Sequence, residues 1–483
     1  MTEQKLPLAG LFALNAGKAV RWATRTTGRG GTALPGLTAN TLHRGLVAEM
    51  ARGIPNGSAL VTGTNGKTTT TRILTAALRR SGLVPVTNRE GANLMQGIAT
   101  ALLSQADSRG RFAEPDKLIG LFEVDEGVLP LAMQEIRPRA ILVTNLFRDQ
   151  LDRYFEIDFV SALWTAAIRK LPTSTTLVLN ADDPLVAYLG EETAHPTVYY
   201  GFEDTSSGQV SLERSADSRR CPRCSADLKY SLTYYAHLGH YACPSCGWKR
   251  PQPSIYATHV EVEGSSGSRA KLVTSDGTSE LTIPIPGAFN VYNAIAGAAA
   301  ALSLGATRDA VAAAVAGMES AFGRMENASI DGRTVSLELV KNPSGFNQVL
   351  DVILRESGGL NLLIALNNNP QDSRDVSWIW DVNLEALAGR MEFVIVCGMR
   401  AAEMVLRMKY ASLLDATDRG AGTGSAGHAP RLSLTPELIK AFDEGLAATP
   451  PGGTLHVIAN YSAMWEIRHE IVRRGHLVPF WEA

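Results

Sequence analysis

The chain contains no run of twenty apolar residues and no signal-peptide pattern at its N-terminus, so neither a bilayer-spanning helix nor a secretory leader is expected. Net charge is nearly absent. Forty-six Lys and Arg against 48 Asp and Glu leave −2, which gives no bulk case for nucleic-acid binding. Cysteine is scarce, with five residues, four of them in one cluster. The balance of 45 % hydrophobic and 19 % charged residues is that of an ordinary soluble, cytoplasmic protein, and 483 residues are enough for two or three domains. Leu6 to Val20 is mildly amphipathic but carries Asn15 and Lys18, so it reads as a surface helix packing on the body, or else touching a membrane or partner.

What is present is concentrated in Val61–Thr70, VTGTNGKTTT. Ser58–Val61 has the look of a buried strand, Gly63 and Gly66 open a tight turn, and Arg72–Leu78 continues with helical periodicity. Such a strand, turn and helix N-terminus aim backbone N–H groups and a positive dipole end at one spot, where a triphosphate binds. Thr64, Asn65 and Thr69 complete the candidate ATP-binding loop. Lys67 reaches for the β- and γ-phosphates and Thr68 offers a hydroxyl to Mg2+. The general P-loop has a glycine where this chain has Val61; here it is displaced to Gly63.

Cys221-Pro-Arg-Cys224 and Cys243-Pro-Ser-Cys246 form two knuckles whose thiolates can surround one tetrahedral ion. Four protein ligands leave no open position, so the zinc expected there is structural; two disulfides are the alternative. Tyr230, Tyr234, Tyr235, Tyr241 and Trp248 are expected to cover this small ribbon.

Around the cluster, residues 56–200 alternate apolar strand candidates (Ala59–Val61, Leu118–Val124, Ala140–Thr144 and Thr176–Leu179) with helical stretches, the signature of a parallel α/β sheet. Hairpins are expected over 254–285, and helices over Ala288–Leu304 and Arg308–Met318, so the ribbon is an insertion. A new α/β unit begins near Gly323-Arg324, with strand candidates Asn361–Leu366, Phe393–Val396 and Thr454–Ile458. The expected division is a helical lead (1–50), a central ATP-binding domain (51–322, ribbon about 215–252) and a C-terminal α/β domain (323–483, loop about 417–430).

Three successive strand ends carry polar side chains. Glu123-Val124-Asp125-Glu126 follows one strand, and Glu123 and Glu126 are candidate Mg2+ ligands, Glu123 being also a catalytic candidate with Lys67. Thr144–Asp152 (TNLFRDQLD) follows the next, and Asn180–Pro184 (NADDP) the third.

With GAFNVYNAIAGAAAAL at 287–302, these motifs in order resemble the Mur ligase superfamily, ATP-dependent ligases that make amide bonds in peptidoglycan synthesis, with a folylpolyglutamate synthase branch. The resemblance runs from about residue 56 to the C-terminus. It implies a Mur ligase-like central P-loop ATPase domain followed by a Rossmann-like α/β domain. It places Asn290 and Asn293 near the adenine, Arg324 at the hinge, and Lys341-Asn342-Pro343 at the family's H-N-P turn. Four features depart from the pattern. The family's D-H-L-D histidine is Gln150, and the modified Mg2+-binding lysine is missing near Ala167 or Ile168, with Lys170 close by. The acid before H-N-P is Glu338, and a zinc ribbon with four cysteines is inserted. The ribbon, NREGAN (88–93), EVDEG, TNLFRDQLDRY and RDVSWIWD (374–381) resemble the MurT branch, the synthetase subunits of lipid II isoglutaminyl synthase. That resemblance implies amidation of the D-glutamate α-carboxyl of the lipid II stem peptide at the inner face of the membrane, with ammonia from a GatD-like glutaminase. It also implies that an aspartate of the 372–381 segment, Asp375 before Asp372, completes the partner's Cys-His pair.

The residues support the partner independently. A glutaminase needs an activated Cys with a His base. Outside the ribbon only Cys397 remains, in an apolar strand with no G-x-C-x-G turn around it, so it reads as a core cysteine. A stand-alone ligase adding an amino acid is the alternative, and the absent lysine argues against it. An NTPase binding nucleic acid through the ribbon is disfavoured by the charge balance.

Overall fold

The computed structural model describes residues 6–26, 33–88, 91–149, 157–210, 216–262, 267–318, 323–372, 374–414 and 431–478, with Arg324 described by its backbone alone. The Gly420–Pro430 segment, Gln150–Asp152 and the Arg89-Glu90 pair of the NREGAN motif lie outside the described residues.

Three helices lead in: α1 (Leu8–Thr26), α2 (Leu34–Leu42) and α3 (Leu46–Arg52). α1 buries Ala13, Leu14 and Gly17 against the body, so the packing reading holds, while Leu8, Phe12 and Trp22 face outward. Among the described residues no helix is long and apolar enough to cross a membrane.

A β/α alternation follows: β1 (Ser58–Thr62), α4 (Lys67–Arg80), β2 (Val84–Thr87), α5 (Met95–Gln105), β3 (Leu118–Glu123), α6 (Leu129–Ile136), β4 (Ala140–Val143), α7 (Ile157–Ile168), β5 (Thr176–Asn180), α8 (Pro184–Glu191) and β6 (Thr197–Phe202). β1, β3 and β4 are buried at every position, which is why each reads as a continuous apolar run and not as an alternation. The six strands are parallel in the order β2-β3-β1-β4-β5-β6. β1 lies between β3 and β4, whose C-terminal ends flank the turn that follows it. In such sheets this edge is where ligands bind.

The cysteine-rich insertion forms its own hairpin, β7 (Lys229–Tyr235) and β8 (Leu238–Ala242), outside that sheet. The chain returns through β9 (Ile255–Val262), parallel to β6, then β10 (Ser268–Thr274) and β11 (Gly277–Ile283), both antiparallel to their neighbours, giving nine strands. α9 (Ala288–Ser303) and α10 (Arg308–Ala316) pack against α4. The small residues of α9 set this close contact: a Cβ on Gly297 would stand 2.9 Å from Ile73.

The second sheet contains β12 (Arg324–Ile330), β13 (Arg333–Leu339), β14 (Leu360–Ala365), β15 (Met391–Cys397), β16 (Arg431–Leu434) and β17 (Thr454–Ala459). Helices α11 (Pro343–Ile353), α12 (Ala401–Tyr410), α13 (Leu438–Ala448) and α14 (Tyr461–Arg473) accompany it. Its order is β12-β13-β17-β14-β15-β16, parallel except for β12, with an apolar core on each face. The architecture is the α/β one expected from the sequence.

Candidate active site

The loop after β1 is built for backbone approach. Gly63 and Gly66 have φ of +124° and +85°, a region that glycine enters without penalty. A Cβ on Gly66 would lie 1.9 Å from Asn293 Oδ1, and one on Gly63 would lie 2.2 Å from Thr144 Oγ1. The strand end after β4 holds the loop in shape. Asn145 Oδ1 accepts from the Asn65 N–H at 2.8 Å, and Thr144 Oγ1 donates to the Asn65 carbonyl at 2.8 Å. Lys67 opens α4 and is buried. Its Nζ donates to the Gly63 carbonyl, to the Thr64 carbonyl at 3.2 Å, and to Glu126 Oε2 at 2.9 Å. Thr68 is half-buried one residue on, and Thr69 faces the cleft. Asn290 and Asn293 share the first turn of α9, linked by a 3.2 Å side-chain bond, directly over Gly66.

Glu123 and Glu126 stand at the end of β3, both buried. Asn88, from the NREGAN motif, brackets that end: it accepts from the Glu123 N–H and donates to the Glu123 carbonyl, each at 2.9 Å. Burial works against the Glu126 carboxylate, but the Lys67 and Lys341 charges outweigh it and hold its pKa below the usual range. Among the described residues only the four cysteines converge closely enough for three or more side chains to hold an ion unaided. Glu123 and Glu126 offer two carboxylates at the end of β3, the number that Mg2+ takes when phosphate and water complete its shell.

The second sheet meets this loop across a cleft that Asn65, Gly66, Asn290 and Asn293 line from one side and Glu338, Lys341 and Gln348 from the other. Lys341, at the end of β13, pairs with Asp149 at 2.6 Å, and Asn342 Nδ2 donates to Asn65 Oδ1 at 3.2 Å. Asn342 also caps α11, accepting from the Gly345 N–H at 2.8 Å. Burial raises the pKa of Asp149 despite the Lys341 charge. Glu338 lines the cleft, buried, accepting from Ser336 Oγ at 2.8 Å and from the Met325 N–H at 3.2 Å. Burial pushes its carboxyl up to about 8, against those two bonds. Arg148 joins the two parts again, bonded to Asp217 and 3.2 Å from Asp381. The Arg324 side chain lies outside the described residues.

The third polar strand end is taken up inside the fold. Asp182 and Asp183, after β5, are fully buried and occupied structurally. Asp183 caps α8 through Leu185 N–H (3.0 Å) and Val186 N–H (3.2 Å), accepts from the Leu146 N–H at 2.8 Å, and lies 3.3 Å from His237 of the insertion. Asp182 takes Arg250 at 2.5 Å and the Tyr292 hydroxyl at 2.6 Å. The ribbon's aromatics also divide. Tyr241 and Trp248 pack with Cys221 and Cys243, and Tyr230 against them, while Tyr234 and Tyr235 join the main core. The four Sγ atoms lie within 4.8 Å of one another, with Cys221–Cys246 at 3.7 Å and Cys224–Cys243 at 3.5 Å. Those separations match the sulfur spacing of a tetrahedron with Zn–S of about 2.3 Å.

The two aspartates proposed for the partner separate as well. Asp372 is buried, with its carboxylate held by the Ser462 N–H at 2.7 Å, the Ser462 hydroxyl at 2.5 Å and the Asn369 N–H at 3.2 Å. Asp375 is exposed and accepts from the Ser377 N–H (2.8 Å) and hydroxyl (2.9 Å), heading a short turn over Ser377–Asp381. Cys397 is fully buried, and burial pushes its thiol up to about 12.

Two family profiles match the chain: the Mur ligase middle domain over residues 61–232 and the MurT ligase C-terminal domain over 339–464. A MurT subunit of lipid II isoglutaminyl synthase from Staphylococcus aureus (strain COL) is 33 % identical over 402 residues, 83 % of this chain and 88 % of that one. The chain belongs to the MurT family. A Streptococcus pneumoniae MurT subunit is 35 % identical over 82 % of this chain and 86 % of its own. In solved structures the fold is that of a pseudomurein peptide ligase from Methanothermus fervidus (TM-score 0.65, 23 % identity, 87 % and 79 % coverage). It is also that of MurF from Thermotoga maritima in complex with ADP (TM-score 0.61, 13 % identity, 91 % and 85 % coverage).

Tyr235 as a cleft residue and the Lys341–Asp149 pair had no signal in any sequence window, and the junction at Asp182 and Asp183 had only a local one. They depend on contacts between distant segments, His237 reaching Asp183 across 54 residues and Lys341 reaching Asp149 across 192. The Asp-Pro pair at 183–184 was the one local hint, a helix cap followed by proline.

Proposed function

We propose that this MurT-family chain is the synthetase subunit of a glutamine-hydrolysing lipid II isoglutaminyl synthase. It amidates the α-carboxyl of D-glutamate in the lipid II stem peptide to D-isoglutamine at the inner face of the membrane, with ammonia supplied by a GatD-like glutaminase. The carrying observation is the closure of a triphosphate-type loop by Lys341 and Asn342 of the second sheet, in a chain whose cysteine outside the cluster is buried and inert. The printed names of the S. aureus and S. pneumoniae relatives support the reading.

The chemistry follows from the groups around the loop. A carboxylate resists amines until one of its oxygens becomes a leaving group. Transfer of the γ-phosphoryl to that oxygen gives an acyl phosphate and ADP. Ammonia then adds to the carbonyl carbon, phosphate departs carrying the former carboxylate oxygen, and the nitrogen gives up one proton, taken up by that phosphate, to leave the amide. Lys67 releases Glu126 and turns to the phosphates, spreading their charge during transfer. Thr68, Glu123 and Glu126 would hold Mg2+, whose charge would offset that of the phosphates. Asn290, Asn293 and Arg324 complete the ATP site. Closure across Lys341–Asp149 excludes the water that would hydrolyse the acyl phosphate. Asp375, on the surface, is the aspartate that faces the partner; Asp372 holds its own loop together. The four cysteines hold a structural Zn2+.

An isotope experiment tests the intermediate. With the D-glutamate α-carboxyl labelled with 18O, each turnover with ATP and ammonium should place one 18O in the released phosphate. Unlabelled phosphate accompanying amide formation would rule the acyl phosphate out.

A further inference from the structure

The ribbon hairpin does not stop at the cysteine cluster. β7 and β8 run from the knuckles to a tip at Tyr235–Leu238, and Tyr235 lines the same cleft as Asn65, Gly66, Asn290 and Asn293. Two separate links fix the tip there. On one side Tyr235 lies 6.0 Å from the Phe147 ring at 26°, and His237 lies 4.6 Å from the same ring while bonded to Asp183. On the other, Tyr235 meets Tyr292 edge-on at 5.5 Å, and the Tyr292 hydroxyl shares Asp182 with Arg250, four residues after Cys246. Tyr292 stands between Asn290 and Asn293 on α9. The phosphates belong at the glycine loop, so the remainder of a nucleotide must extend along the cleft. There it meets two amides and the apolar faces of Ile285, Phe289 and Tyr235. Amides suit the polar edge of a base and an aromatic wall suits its face.

We propose that the tip of the ribbon hairpin is a wall of the nucleoside pocket, with Tyr235 contacting the base, so that metal held by the four cysteines sets nucleotide affinity. The proposal rests on the reading of the loop as the ATP site. The cluster would then act on the site through the hairpin, although it supplies no ligand to the nucleotide.

Calorimetric titration of the full chain with ADP and, separately, with inorganic tripolyphosphate tests this. Tyr235→Ala should weaken ADP about ten- to a hundredfold and leave tripolyphosphate unchanged, while Tyr235→Phe retains ADP affinity. Removing the metal with a chelator should have the same selective effect. Linkage supplies a measurement on the unaltered protein: saturating ADP must raise the affinity of the cluster for Zn2+ by the factor that Zn2+ raises it for ADP, and tripolyphosphate must not. Equal ADP affinity in Tyr235→Ala, equal loss of both ligands, or Zn2+ affinity indifferent to ADP would each overturn the proposal. If the unaltered chain binds neither ligand, the ATP site itself has been misassigned, a separate failure.

Discussion

Gly66 has no room for any other residue. Its φ is +85° and a Cβ would land on Asn293 Oδ1, so Gly66→Ala incurs both a left-handed backbone cost of about 1–2 kcal/mol and the displacement of a cleft amide. It should lower the midpoint of thermal unfolding and weaken ADP binding together, and scanning fluorimetry with and without ADP reads both. Lys67→Ala removes the buried cation that balances Glu126. Amidation should fall by roughly 10²–10³ in kcat, with the loss seen at saturating ATP. Glu338 makes a pH prediction. Its folded pKa, about 8, lies above the ordinary carboxylate value, so between about 4.5 and 8 the folded protein binds a proton that the unfolded chain does not. Stability must therefore decline as pH rises through that window, by on the order of a few kcal/mol. Glu338→Gln should flatten the slope in urea unfolding measured from pH 5 to 8.5; a slope identical to that of the parent would contradict the protonated state.

Among the elements, the loop after β5 does the most joining. Asp183 caps α8, holds the Leu146 backbone behind the ATP loop and anchors His237 of the ribbon. Asp183→Ala should cost roughly 2–4 kcal/mol in denaturant unfolding, because it leaves several buried donors without an acceptor at once. Elements that are buried on both faces were the legible ones. β1, β3, β4, β5, β14, β15 and β17 announced themselves as short apolar runs, with ends within a residue or two of those observed. β2 (VPVT), β12 (RMENASI) and β16 (RLSL) are edge strands without a continuous apolar run, so they lack the signal that a strand buried on both faces gives. The glycine loop and the cysteine knuckles were legible because each is local in sequence. NADDP could not be placed in the same way, since a polar strand end looks the same in sequence whether it meets a ligand or a buried arginine such as Arg250.

At the scale of the whole molecule, the site is assembled by two sheets that share a cleft. Lys341, Asn342 and Glu338 come from the second sheet, Lys341 lying 192 residues beyond Asp149, and their meeting with the glycine loop follows from the fold and not from any motif. Lys341→Ala should reduce amidation by on the order of 10²-fold through mispositioning alone. Steady-state kinetics at saturating ATP would show it, and an unchanged kcat would mean the pair closes nothing that matters. The buried Cys397 fits the same division of labour, since a thiol pushed up to about 12 does not attack glutamine at neutral pH. The most direct measurement incubates the purified chain with lipid II, ATP and either ammonium or glutamine, and follows the product by mass spectrometry. The account predicts the small mass decrease of acid to amide with ammonium and none with glutamine until a glutaminase partner is added. Absence of amide with ammonium, or amide formed from glutamine by the chain alone, would contradict it.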